Sequence, residues 1–166
     1  MKTLVVDPQL CTGCMICELR CSFRKEGVFS PSHSRIKVVR FEEEGLFIPL
    51  VCAQCRKAYC AAVCPVRAIR RDKRTGALLV DEEACIGCRL CAMTCPIGVL
   101  NVKPDGGVVK CDLCAGDPYC AKYCPTGALK FIEPEKAPSK KRAKIAEEVL
   151  APLMAARGGG LIESGR

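Results

Sequence analysis

Residues 85–96 read CIGCRLCAMTCP, four thiols at intervals of three, three and four residues with a proline after the last. Thiols that close ask for a shared centre, and the pattern recurs. Cys85, Cys88, Cys91 and Cys95 form the spacing C-x2-C-x2-C-x3-C-P, which Cys11, Cys14, Cys17 and Cys21 repeat without the proline. Cys52, Cys55, Cys60 and Cys64 are looser, C-x2-C-x4-C-x3-C-P, and Cys111, Cys114, Cys120 and Cys124 follow C-x2-C-x5-C-x3-C-P. These four groups use all sixteen cysteines. VDPQLCTGC at 6–14 echoes VDEEACIGC at 80–88, and YCAAVCP at 59–65 echoes YCAKYCP at 119–125. The chain reads as a duplicated unit, groups one and two matching groups three and four.

The composition says what such groups must do. Of 166 residues, 49% are hydrophobic, but that count includes the cysteines, and there is no tryptophan. A core this thin needs staples besides apolar burial. MKTLVVDPQLC at the N-terminus offers no apolar run of signal-peptide length, and no stretch approaches the ~20 residues of a membrane span. A cytoplasmic chain is expected, and there thiols stay reduced and clustered cysteines bind metal rather than pair. The formal charge of +8 invites a nucleic-acid reading. Four cubane clusters with their thiolates, each carrying about −2 when oxidised, would bring that charge near zero. The basic residues are therefore read as cluster compensation, with no nucleic-acid partner.

Secondary structure is short and local. Strand-length runs occur at Leu4–Val6, Ile36–Val39, Ala77–Val80 and Leu129–Ile132. A short helical turn is expected after each Cys-Pro, in PVRAI, PIGVL and PTGAL. RDKRTGALLVD at 71–81 reads as a turn between strands pivoting on Gly76, and residues 22–50 as an insertion between groups one and two. EPEKAPSKK then begins a linker, and KRAKIAEEVLAPLMAA places Ile145, Val149 and Leu153 on one helical stripe. The stripe either folds back on its own domain or docks onto another chain. The domain plan is 1–133 for the cysteine-bearing domain and 134–166 for a linker, docking helix and flexible tail.

A cubane [4Fe–4S] cluster takes one thiolate per iron around a compact core, and C-x2-C-x2-C lets one tight loop cover three corners. In the two-cluster bacterial arrangement, the fourth cysteine of such a run ligates the neighbouring cluster. Zinc sites draw instead on separated C-x2-C pairs or on cysteine with histidine. The one histidine, His33, sits in a Ser/Pro loop and is read as a surface residue. Tyr59, Tyr119 and Tyr123 flank ligand cysteines and are expected to pack over them and exclude water. Arg20, Arg24, Arg56, Arg67, Arg89, Lys110 and Lys122 lie near the groups, where they could raise the local reduction potential or face an acidic partner; for any one of them a solvated surface role is expected. No catalytic constellation accompanies the cysteines, so a non-catalytic electron wire is expected.

The order tight, C-x2-C-x4-C, tight, C-x2-C-xn-C resembles the four-cluster iron–sulfur subunits of the DMSO reductase and formate dehydrogenase family across residues 1–133. Within that family the short chain and charged tail resemble the small subunits accompanying tungsten aldehyde oxidoreductases. The resemblance implies an α+β fold of tandem bacterial-ferredoxin-like modules, groups one and four forming one and groups two and three the other. It further implies four [4Fe–4S] clusters. Their ligands would be Cys11, Cys14, Cys17 with Cys124; Cys111, Cys114, Cys120 with Cys21; Cys52, Cys55, Cys60 with Cys95; and Cys85, Cys88, Cys91 with Cys64. The implied partners are a catalytic subunit with a tungsten or molybdenum cofactor and, at the far end, a flavin- or NAD-linked subunit or a ferredoxin. Alternatives are service to a carbon monoxide dehydrogenase, hydrogenase or formate dehydrogenase, a free polyferredoxin, and self-association into an extended wire. Ser22 stands where the other groups have proline, which predicts a looser, more exposed turn at Cys21.

Overall fold

The Cys-Pro steps set the local folding rule. In the computed structural model, which describes residues 1–103 and 106–133, each step is a tight turn rather than the start of a helix. The carbonyls of Cys64, Cys95 and Cys124 accept from the amides of Arg67 (3.2 Å), Gly98 (3.1 Å) and Gly127 (3.3 Å). Proline suits the second position of such a turn because its φ is preset and no donor is required there. The closing residue is left-handed in all three, with φ of +53° at Arg67, +68° at Gly98 and +70° at Gly127. A left-handed residue cannot propagate a helix, which corrects the expected helical turns after proline. The helices precede it instead: α2 (Tyr59–Ala62), α3 (Leu90–Met93) and α4 (Tyr119–Lys122) each carry the third cysteine of their group. After each turn come two buried residues, Ala68–Ile69, Val99–Leu100 and Ala128–Leu129.

Group one departs because Ser22 keeps its backbone N–H. The helix α1 (Ile16–Glu26) runs on through Cys17 and Cys21 and ends at left-handed Gly27, whose N–H bonds the Phe23 carbonyl at 3.0 Å. Cys21 is buried and Ser22 wholly so. The Ser22 hydroxyl donates to the Leu19 carbonyl (3.0 Å) and accepts from the Ser30 amide (3.1 Å). The expected exposed turn at Cys21 is thus a buried stretch of helix.

Among the described residues, strands pair in antiparallel twos. β1 (Thr3–Val6) pairs with β8 (Leu129–Ile132), Thr3 opposite Ile132 and Val6 opposite Leu129, so the start of the chain closes on the end of this region. β2 (Lys37–Phe41) and β3 (Leu46–Leu50) form a hairpin inside the 22–50 insertion, and its edge position lets β3 carry Pro49. β4 (Ile69–Arg71) pairs with β5 (Leu78–Val80) around Gly76, as the turn residues predict. β6 (Asn101–Val102) pairs with β7 (Val108–Val109).

These elements enclose two cores. Cys17, Cys21, Ile36, Val38, Cys120 and Leu129 form one, and Cys60, Ile69, Leu78, Cys91, Leu100 and Val108 the other. The first draws its cysteines from groups one and four, the second from groups two and three. Sequence similarity pairs the groups along the chain, whereas packing pairs them first with last. The stripe of Ile145, Val149 and Leu153 lies outside the described residues.

The three turns yield a test of backbone strain. A side chain at Gly98 would meet open space, so Gly98→Ala should cost only the left-handed penalty, about 1 kcal/mol. Arg67→Gly should return about that much and raise the thermal midpoint by about 3 °C. Anaerobic melting followed by circular dichroism would check both signs.

Candidate metal centres

Each C-x2-C loop carries a left-handed residue just before its second cysteine: Gly13 (φ +70°), Gln54 (+49°), Gly87 (+67°) and Leu113 (+57°). Three loops add another just after it, at Met15 (+61°), Arg89 (+63°) and Ala115 (+57°), and Cys114 itself lies at +48°. In groups one and three these left-handed residues alternate along the loop, which turns successive amides toward one side and makes an anion-binding nest. Only groups one and three signal it in sequence, through C-x-G-C. The glycines are also sterically required. A Cβ at Gly13 would fall 2.5 Å from the Phe47 ring of β3, and one at Gly87 2.9 Å from the Gly106 carbonyl. Strand β4 steadies group two, where Arg71 donates to the carbonyls of Cys55 (2.5 Å) and Gln54 (3.3 Å).

The loops bring together cysteines far apart in sequence. Cys21 of group one lines a cavity with Cys111, Cys114 and Cys120 of group four. Cys64 of group two lines another with Cys85, Cys88 and Cys91 of group three. Cys17 lies within electrostatic reach of Cys11 and Cys14, and Cys11 and Cys124 both pack on the first core. Cys60 lies within reach of Cys52 and Cys95. Cys55 is half-buried, and Cys14 and Cys88 are exposed.

The donor set suits a polynuclear anion. Among the described residues, no three His, Cys, Asp or Glu side chains converge tightly enough for a single ion. The thiols ring a volume instead. Backbone amides reach sulfur at both cavities, Arg35 N–H to Cys21 Sγ and Ala68 N–H to Cys64 Sγ, each at 3.3 Å. Arg35 lines the first cavity and buries its Nη1 without a hydrogen-bond partner, so an acceptor within that cavity would satisfy it. Soft thiolates with aimed amides and a buried guanidinium fit a sulfur-ligated iron cluster.

Electrostatics give the same answer from the other side. Burial pushes the Cys17 and Cys111 thiols up to about 12, against an ordinary value of 9.0. Burial raises Cys120 further, and it also raises Cys60, Cys91 and Cys114. Cys124 goes the other way: burial opposes ionisation, but amides of Leu129, Thr126 and Ala128 and the Thr126 hydroxyl outweigh it. These interior thiolates need a cation to offset desolvation, and cluster iron supplies one.

Other readings of single residues divide. His33 is exposed and hydrogen-bonds the Ser32 hydroxyl. Tyr119 and Tyr123 meet edge to face at 5.5 Å with the Arg20 guanidinium 4.2 Å above the Tyr123 ring; Tyr119 is half-buried, whereas Tyr59 and Tyr123 are exposed. Lys110 corrects the expectation that every nearby basic residue is solvated, since it is buried. Glu18 was missed in sequence: buried on α1 between Cys17 and Cys21, its carboxylate accepts the Val38 amide at 2.6 Å. Among the described residues no helix is long and apolar enough to cross a membrane.

Thiol loops wound around shared cavities define an iron–sulfur electron-transfer protein. Residues 43–134, which contain groups two to four, match the family described as 4Fe-4S dicluster domain. The chain belongs to that family, and its cofactors are [4Fe–4S] clusters. Among similar proteins is the polyferredoxin-like subunit of an aliphatic sulfonate oxidoreductase of Pyrococcus furiosus, 40% identical over 112 residues, 67% of this chain and 64% of that one. An iron-sulfur protein of Rhodospirillum rubrum is 34% identical over 131 residues, 67% of each chain. Formate hydrogenlyase subunit 2 of Escherichia coli strain K12 is 38% identical over 102 residues, 60% of this chain and 47% of that one. The chain thus spans a little under two thirds of the first relative and about half of the last.

The raised thiols predict proton release on cluster assembly. At pH 10 a thiol of ordinary value 9.0 is mostly thiolate and releases little, whereas Cys17 and Cys111, held near 12, still carry protons to displace. A pH-stat reconstitution of iron-free protein with iron and sulfide at pH 10 should record release in excess of the about four protons per cluster that hydrosulfide gives up on becoming cluster sulfide. At equal iron content, Cys17→Ser should lower that excess by about one proton per chain.

Proposed function

We propose that this chain is the electron-transfer subunit of an oxidoreductase complex and holds four [4Fe–4S] clusters, one for each of the four ligand sets. The observation that carries the reading is the meeting of cysteines from separate groups at shared cavities, Cys21 with Cys111, Cys114 and Cys120, and Cys64 with Cys85, Cys88 and Cys91. The remaining sets, Cys11, Cys14, Cys17 with Cys124 and Cys52, Cys55, Cys60 with Cys95, follow the same crossing of groups. When bound, each cluster takes up and passes on one electron. The chain's own part is to fix the clusters, aim amides and basic groups at them, and keep water from the buried sulfurs.

One end of the wire serves a catalytic subunit, for which a tungsten or molybdenum aldehyde oxidoreductase is the proposed class on the family resemblance. The sulfonate oxidoreductase subunit supports a role beside a catalytic oxidoreductase chain. The far end serves a flavin- or NAD-linked subunit or a ferredoxin, and the complex is proposed to be cytoplasmic. A second reading, service to a hydrogenase or formate-oxidising complex, is favoured by the relative named formate hydrogenlyase subunit 2.

Anaerobic purification through a tag on this chain should yield about sixteen irons per chain, one for each of its cysteines. Co-purifying tungsten or molybdenum supports the aldehyde or formate reading; nickel moves it to a carbon monoxide dehydrogenase or hydrogenase, and iron with no partner leaves a free carrier. The ligand sets are checked by paired substitutions. Cys21→Ala with Cys120→Ala removes two ligands of one proposed cluster and should leave about twelve irons. Cys21→Ala with Cys17→Ala strikes two clusters and should leave fewer. The reverse ranking would mean that each group closes its own cluster.

A further inference from the structure

Three basic side chains are withdrawn from water around groups two and four, and two are neutralised locally. Lys25 pairs with Asp112 at 2.5 Å and Arg35 with Glu26 at 2.9 Å. Lys110 is 4% exposed and, among the described residues, has no carboxylate partner. Its Nζ donates to the carbonyls of Leu78 (2.8 Å) and Cys111 (3.2 Å) and to Gln54 Oε1 (3.3 Å). Three acceptors match the three donors of an ammonium, whereas a neutral amine would turn a lone pair on one of them.

The placement spans two cysteine groups. Gln54 lies within C-x2-C of group two, and its own Nε2 donates to the Cys111 carbonyl of group four at 2.8 Å. Gln54 Oε1 also accepts the Leu78 amide at 2.8 Å. Lys110 and Gln54 thus clamp the group-two loop to the group-four loop through both backbone atoms of Leu78. The positive charge acts on thiols of both, Cys60 and Cys111, and favours their thiolate forms. A buried ammonium without an anion is costly, and among the described residues the thiolates of Cys60 and Cys111 are the anions it acts on.

Resting on the four-cluster reading, we infer that Lys110 is the shared counter-ion of the two clusters ligated by the group-two and group-four loops, and that it raises their reduction potentials relative to the other two. A fixed cation stabilises the more negative, reduced cluster over the oxidised one. That contribution biases electrons on the wire toward that pair.

The test is an EPR-monitored potentiometric titration of the full chain, loaded with clusters, with iron counted in every sample. Lys110→Met removes the charge and keeps the buried stem. Two of the four midpoints should fall and two stay, and Lys110→Arg should hold all four near their original values. Lys110→Gln, which can still donate hydrogen bonds, replaces Lys110→Met if that variant loses iron. Iron lost from both neutral variants but kept in Lys110→Arg also supports the counter-ion role, since charge separates them. Four unchanged midpoints at full iron, a uniform fall of all four, or iron lost from Lys110→Arg as well would overturn it. A wild-type chain with fewer than about sixteen irons would sink the four-cluster reading instead, and the iron count reports that separately from the potentials.

Discussion

Iron binds thiolate, yet this protein buries its thiols where ionisation is most costly, and much of its structure answers that conflict. Cysteines supply three of the six members of one core and two of the six of the other, so the ligands are also the packing. Desolvation holds Cys17 and Cys111 near 12, far from the charge state that coordination needs. Amides to sulfur, nests in the loops and buried basic groups each offset part of that cost, and cluster iron offsets the rest. Folding and cofactor binding are therefore one problem for this chain.

The same conflict explains the left-handed residues. Of the non-glycine residues with positive φ, all but Arg67 lie inside cysteine loops, where the strain turns amides toward the cavities. Arg67 sits in the turn after group two, at the place that glycine fills after groups three and four. The tight loops relieve strain with Gly13 and Gly87, while the looser ones bear it at Gln54 and Leu113. Gln54 repays its position by carrying an amide side chain that a glycine lacks, and that side chain reaches Cys111.

Much of this was legible in the sequence because it depends on spacing and on period-two strands. The four cysteine groups, the hairpin turn at Gly76 and the strands at Leu4–Val6 and Leu129–Ile132 needed no tertiary information. The helices were misplaced because proline was read as opening a helix, when here it is the second residue of a turn closed by Arg67, Gly98 or Gly127. Ser22 was read as a loosened turn because one missing proline does not reveal that α1 continues. Partners across the fold stayed hidden for a plainer reason: nothing local marks Glu18 for the Val38 amide, or Lys110 for Leu78. The pairing of β1 with β8 likewise brings groups one and four together against the stronger similarity of groups one and three.

Net charge is a poor guide to where a cluster feels a cation. The formal +8 of the whole chain could be balanced on paper by four clusters, but charges on the surface are screened within about 10 Å at 0.1 M salt. What reaches a buried sulfur is the nearby, unscreened remainder. Lys25 and Arg35 lose most of that remainder to Asp112 and Glu26. Lys110, held by two carbonyls and an amide oxygen, loses none of it to a carboxylate among the described residues. A single buried lysine therefore weighs more at groups two and four than the surface excess does, and the potentials along such a wire are set by where charges are left unpaired rather than by how many the chain carries.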